Sequence, residues 1–222
     1  MKVKICGIRT PEEATKVARF RPDAIGILVG FGMIAPNDIS LDQAKHIVET
    51  IKAFPFSIDT FLLTRTKNPE ENIRYVQATG SSHIQLTGDI SPEDVRLVKE
   101  RLQKTKIVKV ISVTGPKAIH LAQQYQTMYG ADELLLDSRI GDKTGGTGKT
   151  HDWSISAKIV KESRLPVWLA GGVRVSNIKE AIDTVSPYGV DVETGVQNPD
   201  GTKNYDLIRE FIDIARGKCF NY

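Results

Sequence analysis

Two residues able to move a proton stand at the ends of apolar runs: Cys6 closes "KVKIC" and Asp137 closes "ELLLD". A thiolate is a base, and a carboxyl kept protonated by burial is an acid. Each also has a plainer reading. Free cysteine is among the most buried residue types, and aspartate at a strand end often caps the following turn. Late in the chain come Gly145, Gly146 and Gly148 around Thr147, then Gly171-Gly172, then "ETGVQ", where Thr194 and Gly195 are placed to open a short helix. Glycine lets a backbone approach a phosphate closely, and N–H groups at a helix start attract anions. Such glycines can also simply make turns. Gly148-Lys149-Thr150 invites a nucleotide-loop reading, but that motif needs a glycine five places earlier. Lys143 stands there, and the reading fails on register.

The elements that must position these residues are legible in the hydrophobic pattern. Short β-branched or apolar runs occur at 2–6, 24–30, 58–64, 83–86, 106–113, 133–137, 166–170 and 189–192, each followed by helical spacing. Thr10-Pro11, Asn68-Pro69 and Ser91-Pro92 each give a capping residue followed by proline, with Glu13, Glu71 and Asp94 three places after the caps. Ser40 with Gln43 forms a fourth start. Continuously apolar strands suit a parallel sheet covered on both faces. Eight strand–helix units in 222 residues predict an α/β fold, the (β/α)8 TIM barrel, as one domain spanning 1–222. An open doubly wound sheet competes, but it usually has fewer strands and a glycine-rich turn after the first.

A barrel does its chemistry at the carboxyl ends of its strands, and phosphate often sits at the late loops. Cys6 and Asp137 then share one rim, and the three glycine loops become neighbours. Phosphate binding by Gly146, Gly148, Gly171, Gly172, Thr194 and Gly195 is the expectation. The helix starting at Thr10-Pro11 points its positive end at the same rim, favouring a Cys6 thiolate.

Composition excludes several classes. Thirty basic against 27 acidic residues leave a net charge of +3, interspersed rather than clustered, which argues against nucleic acid. The chain opens with no signal-like segment, and no apolar stretch approaches 18 residues, so neither export nor a membrane is expected. Cys6 and Cys219 lie at opposite ends, as free thiols of a reducing cytoplasm. His46, His83, His120 and His151 share no spacing with acidic partners, so no metal is expected. Trp168 reads as core.

"KVKICGIRT", "LLLDS" with "GGTGKTHDWS", "LAGGV" and "PYGVDV" followed by Gly-Val, in this order along the whole chain, resemble the phosphoribosylanthranilate isomerase family. The resemblance implies an intramolecular oxidoreductase of tryptophan synthesis that needs no cofactor. It turns a phosphoribosylamine into the 1-deoxyribulose phosphate by an Amadori rearrangement. Cys6 would be the general base, Asp137 the general acid, and Asp191 a ribose-hydroxyl ligand. Its partner would be a small phosphorylated substrate, with the protein a monomer or homodimer.

The chain departs from that pattern in three loops. After the second strand, where the family carries an arginine for the anthranilate carboxylate, "GFGMIAPNDIS" has no basic residue, and Asp38 would repel an acid. Thr87 stands where the family has histidine, and Glu193 where it has serine. Arg65 and Arg139 are the substitute cations that neighbouring loops offer, or else solvated arginines. Two other readings follow: a relative acting on another phosphorylated sugar or aminosugar, and a barrel that binds such a metabolite without turning it over.

Overall fold

The computed structural model describes residues 1–32, 35–127, 130–138 and 150–218. Eight parallel strands close into a barrel in chain order, the last pairing with the first. They are β1 (Lys2–Ile5), β2 (Ala24–Val29), β3 (Asp59–Thr64), β4 (His83–Leu86), β5 (Lys106–Ser112), β6 (Glu133–Asp137), β7 (Val167–Leu169) and β8 (Gly189–Val192). The helices between and after them are α1 (Pro11–Ala18), α2 (Leu41–Lys52), α3 (Pro69–Thr79), α4 (Pro92–Arg101), α5 (Lys117–Thr127), α6 (Trp153–Glu162), α7 (Ile178–Val185) and α8 (Tyr205–Ala215). The expected strands are all present, several a residue shorter at an end.

Local chemistry starts the helices where the sequence reading places them. Thr10 accepts from Glu13 N, Asn68 from Glu70 N and Glu71 N, and Ser91 from Asp94 N. Ser40 and Gln43 form a reciprocal capping box. Each cap satisfies backbone donors that the first helical turn leaves open, for about 1 kcal/mol.

The strands alternate between two interiors. Val3, Ile5, Ile25, Ile27, Leu62, Ile84, Leu134 and Val190 face outward and pack under the helices. Cys6, Leu28, Phe61, Leu63, Val108, Leu135, Trp168 and Ala170 fill the barrel itself. Trp168 is core, as expected, at 2% exposed. Gly26 makes room for the sulfur of Cys6: a Cβ there would stand 2.5 Å from Sγ.

The floor of the barrel is polar. Buried Glu133 accepts from Trp168 Nε1 at 2.7 Å and from Lys106 Nζ at 2.9 Å. His83 Nε2 lies 3.7 Å from it, with its ring stacked on Phe61. Burial alone would raise the Glu133 pKa, but the nearby His83 ring together with the Lys106 and Trp168 donors outweighs it and holds the carboxyl down at about 2.

Candidate active site

Directly above that floor, three strands converge on one buried cation. Lys4 is fully buried, and its Nζ donates to Gln85 Oε1 at 2.8 Å and to Asp191 Oδ2 at 2.8 Å. The same ammonium lies 3.8 Å from Cys6 Sγ. Burial works against its charge, but Asp191 and Cys6 outweigh burial and Lys4 titrates above its ordinary value. Asp191 keeps Oδ1 buried with no hydrogen-bond partner among the described residues. A buried acceptor without a donor is costly, and this one faces the site with a lone pair unused by the described residues.

Cys6 is 2% exposed. The expected thiolate is not what this arrangement favours in the free protein: burial pushes the thiol well above its usual pKa, and Lys4 only partly opposes it. Desolvation beats the cation, and Asp191 and Glu193 add to the upward push. A second buried lysine, Lys203, donates to the Cys6 carbonyl oxygen and titrates low through burial. It stands just before α8, so the last helical unit braces the first strand.

Asp137 ends β6 opposite Ser112, in the inward register of Leu135, and is half-buried. Cys6 and Asp137 thus occupy the same rim, with β8 and β7 between their strands. Gly171 and Gly172 follow β7 with φ of 79° and 74°. A Cβ on Gly171 would stand 2.3 Å from Ser138 Oγ, and one on Gly195 would stand 2.3 Å from Val173 O. Glycine is therefore demanded at both by loop-against-loop packing, whatever they bind. Thr194–Val196 form the short helix expected there, of 3-10 type. Gly146, Gly148 and Arg139 lie outside the described residues.

Asp38 is engaged within its own loop. Its oxygens accept from Phe31 N at 3.1 Å and Gly32 N at 2.8 Å, so its charge closes its own loop. Thr87 donates to the Thr64 carbonyl at 2.6 Å, tying β4 to β3. Arg65 follows β3, half-buried at the rim. His151 shares a 2.6 Å hydrogen bond with Ser156 in the first turn of α6. Among the described residues no group of histidine, cysteine and acidic side chains could hold a metal, and no helix is long and apolar enough to cross a membrane.

Comparison with known proteins decides the family. The model for N-(5'-phosphoribosyl)anthranilate isomerase matches residues 3–214. The chain belongs to the phosphoribosylanthranilate isomerase family. It is 36% identical over 222 residues to N-(5'-phosphoribosyl)anthranilate isomerase 2 of Methanosarcina mazei, covering 99% of this chain and 96% of that one. The Aquifex aeolicus isomerase is 35% identical over 218 residues, covering 98% of this chain and all of that one. Among solved structures, the Thermotoga maritima isomerase superposes with a TM-score of 0.84 at 29% identity, covering 98% of this chain and 99% of that one. The chain accordingly catalyses the aldose–ketose isomerisation of N-(5-phosphoribosyl)anthranilate in tryptophan biosynthesis, on a phosphorylated small-molecule substrate.

Sequence reasoning missed Lys4, Lys203, Gln85 and the partner of Glu193. Lys4 did leave a signal: a lysine between two apolar residues that face outward must itself face into the barrel.

Proposed function

We propose that Cys6 is the general base and Asp137 the general acid of this isomerisation, working in the cytoplasm without a cofactor. Asp137 protonates the furanose ring oxygen, the C1–O bond breaks, and the nitrogen lone pair forms the C1=N iminium. Cys6 removes the C2 proton, giving an enolamine. A proton returned to C1 and the loss of the C2 hydroxyl proton yield the ketone, with no net gain or loss of atoms. Asp191 Oδ1 accepts from a ribose hydroxyl. The phosphate rests on Gly171, Gly172, Thr194 and Gly195, completed by Gly146 and Gly148, and Arg65 and Arg139 offer cations to the anthranilate carboxylate.

The observation that carries the reading is the buried ammonium of Lys4, 3.8 Å from the Cys6 sulfur and bound to Asp191. A buried thiol ionises only beside a positive charge, and base and hydroxyl ligand here share one. Complementation tests it. The gene should restore growth without tryptophan to a strain lacking the isomerase, while Cys6→Ala and Asp137→Asn, expressed as folded protein, should not. Growth supported by both variants removes these two residues from the chemistry. The assembly we propose is a monomer or a homodimer.

The related structure solved with reduced 1-(o-carboxyphenylamino)-1-deoxyribulose 5-phosphate has a TM-score of 0.80 at 27% identity, and its ligand is the reduced form of the product expected here.

A further inference from the structure

Lys109, in the middle of β5, is a buried cation that the proton transfers do not use. Ile107 and Ile111 on either side of it pack under the helices, whereas Val108 and Val110 fill the barrel, so Lys109 lies on the helix-facing side of the sheet. It is 5% exposed and makes no ion pair among the described residues. Its Nζ donates to the Leu86 carbonyl at 3.3 Å and to the Gly88 carbonyl at 2.9 Å, and lies 5.5 Å from the centroid of the Tyr125 ring on α5. An apolar side chain would fill this layer without electrostatic cost, as Ile107 and Ile111 do. A buried ammonium is destabilising unless its donors are used. Here they go to the turn that leaves β4.

That turn is the link to the rim. Thr87, between the two carbonyls, donates from its N and its Oγ1 to the Thr64 carbonyl at the end of β3. Gly88 packs flush against the residues that follow: a Cβ there would stand 2.4 Å from the Arg65 carbonyl oxygen and 3.3 Å from that of Thr66. From the other side, the Asn72 amide of α3 donates to the Thr66 carbonyl at 3.3 Å. The backbone of Arg65 is thus seated on Gly88, and Gly88 is held from behind the sheet by Lys109.

We propose that Lys109 is a positioning residue for substrate binding, fixing the loop after β4 so that Arg65 stands where it meets the anthranilate carboxylate. Lys109 touches no substrate and acts through Gly88, and the proposal rests on the assignment of Arg65 above. It carries a pH signature. Burial pulls the Lys109 pKa down to about 8, and Asp89 opposes this only in part. The titratable groups facing it are Asp89, beyond the turn, and Tyr125 on α5, whose hydroxyl donates to the Ile90 carbonyl. Once the ammonium loses its proton, its two hydrogen bonds to the turn lose their charge assistance and weaken.

The test is steady-state kinetics on N-(5-phosphoribosyl)anthranilate with the full chain. Lys109→Met, which keeps the length and removes the charge, should raise KM at least fivefold with kcat within about twofold of the wild type. Lys109→Arg should restore most of the lost affinity. KM does not depend on the folded fraction of a preparation, so partial misfolding cannot imitate the effect. In the double variant with Arg65→Ala the two effects should not multiply, because the guanidinium that Lys109 places is gone. Between pH 7 and pH 9.5 the wild-type KM should rise through about pH 8, while that of Lys109→Arg stays flat. This last comparison decides alone if Lys109→Met yields no soluble enzyme, and identical profiles then overturn the proposal. Where Arg65→Ala itself raises KM, an unchanged KM in Lys109→Met or fully multiplicative effects in the double variant overturn this proposal alone. An unaltered KM in Arg65→Ala overturns the Arg65 assignment, and the proposal with it.

Discussion

Lys4 holds its ammonium within 3.8 Å of the Cys6 sulfur, two residues further along the same inward face of β1. The same nitrogen neutralises Asp191 at 2.8 Å. Replacing Lys4 by Met should therefore do two separable things. It strands a buried carboxylate, which should cost about 3–5 kcal/mol in urea unfolding. It also removes the cation opposing the upward shift of the thiol, so alkylation of Cys6 by iodoacetamide at a given alkaline pH should slow. Unchanged alkylation in folded Lys4→Met protein would mean the ammonium serves Asp191 alone.

Arg65 enters the rim from the end of β3, the strand after the loop that carries Asn37. If its guanidinium meets the carboxylate of anthranilate, Arg65→Ala should raise KM at least tenfold, about 1.4 kcal/mol, with kcat little altered. A planar guanidinium grips a carboxylate in a way an ammonium does not, so Arg65→Lys should recover only part of the loss. Steady-state kinetics on the three proteins settle it.

Gly171 has φ of 79° and no room for a Cβ beside Ser138. Gly171→Ala should cost about 1–3 kcal/mol, from a backbone conformation that alanine rarely adopts. Because the loop after β7 must move to relieve the contact, KM should rise with the phosphorylated substrate. Inorganic phosphate should also weaken as a competitive inhibitor. Loss of stability with KM and phosphate inhibition intact would confine this glycine to packing.

Glu133 should add to stability toward acid from the floor of the barrel. Its carboxyl is held at about 2 in the folded protein, against an unfolded value of about 4.3. The unfolded chain therefore binds the proton first as pH falls. The stabilisation is full above about pH 4.3 and disappears on the way down to about pH 2, for a total of about 3 kcal/mol. Urea midpoints measured between pH 5 and pH 2.5 should fall more steeply for the wild type than for Glu133→Gln. Parallel slopes would show that other carboxylates dominate.

The strands and helix starts were legible because each follows from local rules. Apolar runs of the right length announce buried parallel strands, and Thr10, Ser40, Asn68 and Ser91 announce helices through donors that need a cap. Cys6 and Asp137 were legible for the same reason, since a residue that ends a barrel strand lies at the rim. Lys4 was half-legible: it sits inside a run read as apolar, and only its register shows that it points inward. The pairing of Asn37 with Glu193 joins residues 156 apart in sequence, and no spacing rule connects them. The polar floor escaped as well, because His83 and Glu133 begin their strands singly and become a network only when the sheet closes. The glycines were weighed as phosphate ligands or as turns, and the packing that requires Gly171 and Gly195, clear of Ser138 and the Val173 carbonyl, could not be read from sequence.

The seam between the first and last strands has a consequence for biosynthesis. Lys4 and Asp191 are 187 residues apart, and Lys203 reaches Cys6 from still further along. A ribosome adding about 5–20 residues per second needs roughly 10–40 s to supply those partners. Throughout that interval β1 lacks its β8 neighbour and Lys4 stays solvated, so the ammonium is buried and paired only once β8 has been made and the barrel closes.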